Sequence, residues 1–189
     1  MPKEKKDENA VVLDFLPTGK VSDSRSEPMA QVLGNRYFSL LEVILRNGEE
    51  VEPGDIVYIG SGKRDKVKYI KKSVTVDELS TVAKEELEER LEDLIEENED
   101  RFVEFFNSSG PITPRMHQLE ALPGVGKKHM WNVLDERKIE EFESLEDLKE
   151  RVSLLPNPKE IIKERITNEL WGDTKHHLFT VPKSTKDER

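Results

Sequence analysis

The pattern of apolar and polar positions changes character near residue 75 of the chain. Before that point, short apolar runs are separated by turn signals such as Asn47-Gly48 and Pro53-Gly54, which is typical of β-strands. We expect four or five strands, with candidate runs at 10–16, 29–33, 37–45, 56–59 and 67–72. About 65 residues are too few for two full sheets, so closure into a small barrel is the favoured way to hide the strand edges.

Beyond residue 75 the apolar positions recur every three or four residues, which is the helical period. Leucine and isoleucine side chains between Val82 and Ile95 fall on one predicted face, and acids cover the remainder. The pattern therefore predicts an acidic helix over 77–97. It predicts a second helix over 99–107, where Phe102, Val103, Phe105 and Phe106 form a dense apolar cluster.

The stretch from Leu122 to Lys128 reads Leu-Pro-Gly-Val-Gly-Lys-Lys and has the form of a tight turn between two helices. Thr113 and Pro114 suit the N-cap and first position of a helix that enters this turn. Apolar residues at helical spacing after the turn, from Met130 to Leu134, predict the helix that leaves it.

Each residue of this turn suits the binding of an anion. Gly124 and Gly126 allow unusual backbone angles and close approach, while Val125 can pack inward. Backbone amides at a helix start, with Lys127 and Lys128 beside them, then form a site for phosphate. The segment resembles the hairpin of helix-hairpin-helix modules, which hold a nucleic-acid backbone; a glycine-capped helix–helix turn is the simpler alternative.

A second helix–turn–helix is predicted nearer the C-terminus. Ser144 is a candidate N-cap with Asp147 at the reciprocal position, and a break at 154–158 precedes a last helix. We interpret this as a degenerate second helix-hairpin-helix, because Asn157-Pro158 stands where the first hairpin has glycine. Pro158 has no N–H, so this hairpin is expected to be structural. Residues 171–182 are expected to form a strand-like tail that returns to the core.

The charge of the chain is unevenly distributed. The net charge is −10, but residues 77–106 alone hold 3 basic and 13 acidic residues, so the flanking segments are close to neutral. An acidic total therefore does not argue against a nucleic-acid partner. The chain has no cysteine, no membrane-spanning apolar run and no recognisable catalytic motif, metal-ligand spacing or cofactor fingerprint. We expect a cytoplasmic protein that is not an enzyme and needs no metal or cofactor.

A second cationic site is expected on the last strand of the barrel. Six basic residues lie within ten positions, with Asp65 as the single acid: Lys63, Arg64, Lys66, Lys68, Lys71 and Lys72. With Tyr58 and Tyr69 nearby, these residues suit backbone contacts and base stacking. A solvated edge strand protected by lysines explains them equally well.

Three further residues lie near the hairpin in the sequence. Arg115 is expected on the helix entering the hairpin, where it extends the phosphate surface. His117, on the same helix, is better explained as an ordinary surface residue. Trp131 is expected to pack in the core or at a domain interface rather than to stack on a base.

The whole layout resembles an archaeal family of uncharacterised proteins, described as RNA-binding, that join an OB/S1-like barrel to a helix-hairpin-helix domain. The specific stretches are 101–107, 112–119 and the hairpin with its two lysines. The resemblance implies an α+β fold and nucleic-acid binding. The expected organisation is a disordered tail at 1–9, a barrel at 10–76, an acidic connecting helix at 77–98, a helical domain at 99–182 and a disordered tail at 183–189.

The predicted function is therefore binding of nucleic acid, with RNA favoured, by a protein expected to be monomeric. Two alternatives stay open. The chain could be a protein-interaction adaptor of the translation or RNA-processing machinery, with a basic protein on the acidic helix. It could also bind duplex DNA, which helix-hairpin-helix modules commonly do.

Overall fold

The computed structural model describes residues 4–183, which form an α+β fold with seven strands, five α-helices and two short 3-10 helices. The strands are β1 (Asn9–Leu16), β2 (Met29–Gly34), β3 (Leu40–Leu45), β4 (Ile56–Tyr58), β5 (Val67–Ser73), β6 (Pro111–Thr113) and β7 (Met116–His117). The α-helices are α1 (Thr81–Glu97), α2 (Glu99–Ser108), α3 (Lys127–Ile139), α4 (Leu145–Arg151) and α5 (Pro158–Trp171). The 3-10 helices are Val76–Glu78 and Gln118–Ala121. None of the helices in this part of the chain is long and apolar enough to cross a membrane.

The described chain divides into two compact units. Unit 1 comprises residues 4–91 and 169–183, and unit 2 comprises residues 92–168. The sequence had suggested boundaries at 76 and 98, with everything up to 182 in the helical part. The segment after residue 168 instead belongs to the unit that contains the large sheet.

Unit 1 is built on a curled five-stranded sheet with the order β4-β1-β2-β3-β5. All four strand pairings are antiparallel, and the pairings of β1 with β2 and of β3 with β5 contain register shifts. β4 and β5 are the edges, and no pairing between them occurs in residues 4–183, so the sheet forms a half barrel. The five predicted strands are present, but the closed OB/S1-like barrel is not confirmed.

One face of this sheet forms an apolar core of small and β-branched side chains. Such residues pack well on a pleated surface. The fully or almost fully buried members are Ala10, Val12, Ala30, Val32, Val43, Leu45, Val51, Val57, Ile59 and Val67.

Asp7 fixes the turn between β2 and β3. Its carboxylate accepts hydrogen bonds from the backbone amides of Arg36 (2.8 Å), Tyr37 (2.8 Å) and Ser39 (3.2 Å). The turn replaces the first residues of the predicted strand 37–45, and Phe38 within it has a φ of +56°. The predicted disordered tail is therefore wrong at Asp7, which is buried, while residues 1–3 lie outside the described chain.

A second buried carboxylate holds the C-terminal segment in unit 1. Glu169 accepts hydrogen bonds from the backbone amides of Leu178 (2.7 Å), Phe179 (3.2 Å) and Thr180 (2.9 Å). It also accepts one from the Thr180 hydroxyl at 2.8 Å. Phe179 is buried, so the expected return of this segment to a core is observed, but as irregular structure instead of a strand. Lys183, assigned to the tail, lies 3.7 Å from Glu78; residues 184–189 lie outside the description.

The other face of the sheet contains a buried polar cluster. Glu42 and Gln31 are both fully buried, and Gln31 Nε2 donates to Glu42 Oε1 at 3.2 Å. Lys20 forms an ion pair with the same oxygen and donates to the Glu78 carbonyl at 3.1 Å. Gln31 also accepts the amide of Ser80 at 2.8 Å. These bonds join the sheet to the segment that leads into α1.

We predict that Asp7→Ala destabilises unit 1 by about 2 kcal/mol, because three backbone amides lose a charged acceptor. Chemical denaturation followed by circular dichroism checks this. Glu8→Ala is the matched control, since it removes the same charge from an exposed neighbour. Equal denaturation midpoints for the two variants would contradict the role assigned to Asp7.

Candidate nucleic-acid interface

The chain enters the predicted hairpin through a β-ribbon and not through the expected helix. β6 and β7 pair antiparallel, and only the four-residue 3-10 helix Gln118–Ala121 precedes the turn. Pro111 and Pro114 lack amide donors, and Gly110 bonds to Gln118 through both its amide and its carbonyl. The helix predicted from Thr113 is therefore wrong, and the helix-hairpin-helix assignment is not confirmed.

The turn itself has the geometry that its sequence suggested. Gly124 has a φ of +71°, in the left-handed region that favours glycine. Val125 is 6% exposed, and its amide donates to the Leu122 carbonyl at 3.2 Å. The buried valine thus fixes the turn from inside, while Gly124 and Gly126 lie at the surface.

The first amides of α3 point to no acceptor within the described chain. Gly126 is the N-cap and offers no side chain, and the first helical bond runs from the Met130 amide to the Gly126 carbonyl at 3.0 Å. In residues 4–183 the amides of Lys127, Lys128 and His129 donate no hydrogen bond. Free amides at a helix start attract anions, because the helix dipole places partial positive charge there.

The charges in the first turn of α3 are reversed relative to the other helices that begin in unit 2. α2, α4 and α5 each have one or two acids in the first turn, whereas α3 has none and begins with Lys127 and Lys128. Cations at a helix start oppose the helix dipole, so this arrangement weakens α3. Both lysines are exposed, and neither forms an ion pair with a described acid.

The backbone does not require glycine at position 126. Its φ of −92° is accessible to any residue, and a Cβ built there would meet nothing within 4 Å. The space beside the free amides is therefore open to a ligand.

Trp131 lies on the same side of α3 as the two lysines, three and four residues further along. It is 55% exposed, so the predicted packing in a core is wrong. The helical period contained the signal, because Met130 and Val133 define the buried stripe and position 131 lies about 100° from Met130.

The second hairpin repeats the shape of the first without its free amides. Leu154 has a φ of +65°, and the Leu155 amide donates to the Val152 carbonyl at 3.4 Å, as Val125 does in the first hairpin. Pro156 has no N–H, and Asn157 Oδ1 accepts the Lys159 amide at 3.0 Å. This hairpin therefore has no comparable place for an anion.

Arg115 and His117 lie in the β-ribbon and not on a helix. Arg115 is exposed in the β6–β7 turn. His117 is the N-cap of the following 3-10 helix: its Nδ1 accepts the Leu119 amide at 3.1 Å, and its own amide donates to Glu120 at 2.9 Å. Burial and the nearby Arg137 lower the pKa of His117. His117 therefore has a structural role as an N-cap, whereas the sequence favoured an ordinary surface residue.

The predicted basic strand is largely neutralised by acids. Lys68 pairs with Glu27 at 3.3 Å, Lys71 with Asp23 at 2.6 Å and Lys72 with Glu78 at 2.8 Å. Burial by itself raises the pKa of Glu78, but the bonds from the Lys72 ammonium and the Thr75 amide outweigh it and hold the pKa at about 2. These three lysines therefore act mainly as internal partners.

The remaining basic residues of this stretch lie in the loop before β5. Arg64 Nε donates to the Gly60 carbonyl at 2.8 Å, whereas Lys63 and Lys66 are exposed and unpaired within the described chain. Tyr69 is 40% exposed and donates to Glu27 at 3.1 Å. Tyr58 accepts a hydrogen bond from the Gly62 amide at 3.0 Å.

Across residues 4–183, no group of three or more His, Asp or Glu side chains is placed to hold a metal ion.

The comparison with known proteins identifies the family. A family model described as a protein of unknown function, DUF655, matches residues 6–181. The chain is a member of the DUF655 family. Similar DUF655 proteins come from two archaea, which agrees with the archaeal resemblance seen in the sequence.

Two relatives illustrate the extent of the similarity. The uncharacterized protein MJ0038 of Methanocaldococcus jannaschii is 43% identical over 180 residues, covering 94% of this chain and 82% of that protein. The crystal structure of the DUF655 protein Af1531 from Archaeoglobus fulgidus matches with a TM-score of 0.80 at 46% identity, covering 93% of this chain and 100% of the other.

We predict that the pKa of His117 measured by NMR titration lies below the ordinary value of 6.5, because burial and the nearby Arg137 disfavour the charged ring. Protonation would also place a hydrogen on the nitrogen that accepts a hydrogen bond from the Leu119 amide. The unfolded chain then binds more protons than the folded one, so stability falls as the pH drops below about 6.5. In His117→Asn, whose Oδ1 can accept the same amide without titrating, this fall should be smaller. A His117 pKa above 6.5 would contradict the assignment.

Proposed function

We propose that this DUF655 protein is a non-enzymatic nucleic-acid-binding protein that holds a phosphate backbone at the hairpin Gly124-Val125-Gly126 and the start of α3, with RNA the favoured ligand. The observation that carries the proposal is the set of free amides at Lys127–His129, next to two lysines without acid partners in the described chain. Phosphate oxygens would accept these amides and be neutralised by the ammonium groups.

Contacts of this kind position a nucleic acid without reading its sequence, since every nucleotide carries the same phosphate. The exposed ring of Trp131 adds a second element, because it lies beside the lysines on α3. A base can stack on such a ring only when it is not enclosed in a regular duplex, as in single strands and loops. This favours unpaired RNA over duplex DNA.

The basic stretch near β5 has a secondary role in this proposal. Lys68 and Lys72 already have acid partners, so they offer less attraction to phosphate than free cations would. Lys63 and Lys66, with Arg64 between them, form the part of the stretch able to contact a backbone, and Arg115 could do so near the hairpin.

Exchanging both hairpin lysines for acids is the direct test. Lys127→Glu/Lys128→Glu is expected to weaken binding of an unstructured RNA of about 20 nucleotides by about tenfold or more in about 0.1 M salt. The slope of log affinity against log salt concentration should fall by about 1.4, or about 0.7 for each lost phosphate contact. Fluorescence anisotropy across a salt series measures both quantities.

The matched control is Lys138→Glu/Lys149→Glu, which changes the net charge equally at two exposed positions of the same unit. It should retain nearly wild-type affinity. If the hairpin variant bound RNA with unchanged affinity and salt slope, the hairpin would not be the site.

Competition with duplex DNA of equal length distinguishes the two nucleic acids. Stronger competition by the duplex would contradict the preference for RNA.

Gly126→Ser is expected to raise stability and lower RNA affinity together. A serine N-cap can accept the amide of Lys128 or His129, which stabilises the helix by about 0.3 kcal/mol relative to glycine. An amide that bonds to the serine can no longer donate to the phosphate, so RNA affinity should fall about fivefold. Gly110→Ser is the control, because a Cβ there also meets nothing within 4 Å. Unchanged affinity of Gly126→Ser would argue against amide binding of phosphate.

A further inference from the structure

Leu154, at the tip of the second hairpin, adopts a backbone conformation that leucine rarely takes. Its φ of +65° lies in the left-handed region, where the Cβ of an L-residue is crowded. The side chain is 82% exposed, so burial within the described chain does not offset this strain. A strained conformation that brings no internal packing is a reason to look for an external contact.

The first hairpin shows which residue this turn normally suits. Gly124 has a φ of +71°, and the amide of the next residue, Val125, donates a hydrogen bond to the Leu122 carbonyl. Leu155 and Val152 form the same bond around Leu154. The two hairpins therefore have equivalent turns, with glycine in the one and an exposed leucine in the other.

The two hairpin tips are neighbours within unit 2. A Cβ built on Gly124 would lie 3.5 Å from Pro156 Cγ, and Pro156 is two residues from Leu154. The second tip therefore lies next to the turn that leads into the amides of Lys127–His129.

We propose that Leu154 contacts the nucleic acid, packing its side chain on the ribose or base of a nucleotide next to the phosphate held by α3. Because phosphate must first bind at α3, this role rests on the proposed function. Apolar side chains commonly pack against or insert beside bases, and removing leucine and nucleotide surface from water favours the complex. The second hairpin then supplies apolar contact where the first supplies charge and amides.

The test uses Leu154→Asn and Leu154→Met with a fluorescein-labelled, unstructured RNA of about 20 nucleotides. Asparagine tolerates left-handed angles, so Leu154→Asn should not lower the melting temperature and is expected to raise it by about 2 °C. Its affinity for the RNA should fall about fivefold, because the apolar contact is lost. Leu154→Met keeps an apolar side chain and should bind within about twofold of the wild type.

Ile139→Asn is the matched control, since it removes an exposed apolar residue at the far end of α3, about 18 Å along the helix from Lys127. It should leave affinity unchanged. The proposal is overturned if Leu154→Asn binds like the wild type while Lys127→Glu/Lys128→Glu binds weakly, a result that leaves the proposed function intact. Equal losses in Leu154→Asn and Ile139→Asn also overturn it. If Lys127→Glu/Lys128→Glu binds like the wild type, the proposed function fails and this role fails with it.

Discussion

Carboxylates that accept several backbone amides at once hold the irregular segments of this protein in place. Asp7 fixes the β2–β3 turn and Glu169 fixes the segment 178–180, each through three amides. A buried carboxylate is costly unless its oxygens are satisfied, and charged hydrogen bonds are stronger than neutral ones. In unit 1 these acceptors hold two segments that lie outside the strands and helices, the β2–β3 turn and residues 178–180.

The start of α3 differs from this pattern. Acids are abundant in the chain, and Glu78, Glu99 and Glu120 each accept an amide at the start of a helix or turn. At α3 no described carboxylate does so, and two lysines occupy the first turn instead. The amides of Lys127–His129 and the two lysines beside them are the features on which the proposed phosphate site rests.

The features that the sequence predicted well are those set by neighbouring residues. The strands, α3 and the Ser144 cap follow from local turn signals and apolar spacing, and Gly124 from the demands of a tight turn. Thr113-Pro114 misled because the same residues suit a helix start and a turn between strands. The pairing of the β5 lysines with Asp23 and Glu27 spans more than 40 positions, so no local pattern reveals it.

The discontinuity of unit 1 has a consequence for biosynthesis. Its sheet is complete by residue 91, but its buried acceptor Glu169 and the segment that bonds to it follow unit 2 in the chain. A ribosome adds residues from the N-terminus, and domains generally fold as units as they emerge. Unit 2 is contiguous in sequence, whereas unit 1 gains its C-terminal segment only after unit 2 has been synthesised. Until residues 169–180 have been synthesised, the strands of unit 1 are present without the Glu169 bonds that hold its C-terminal segment.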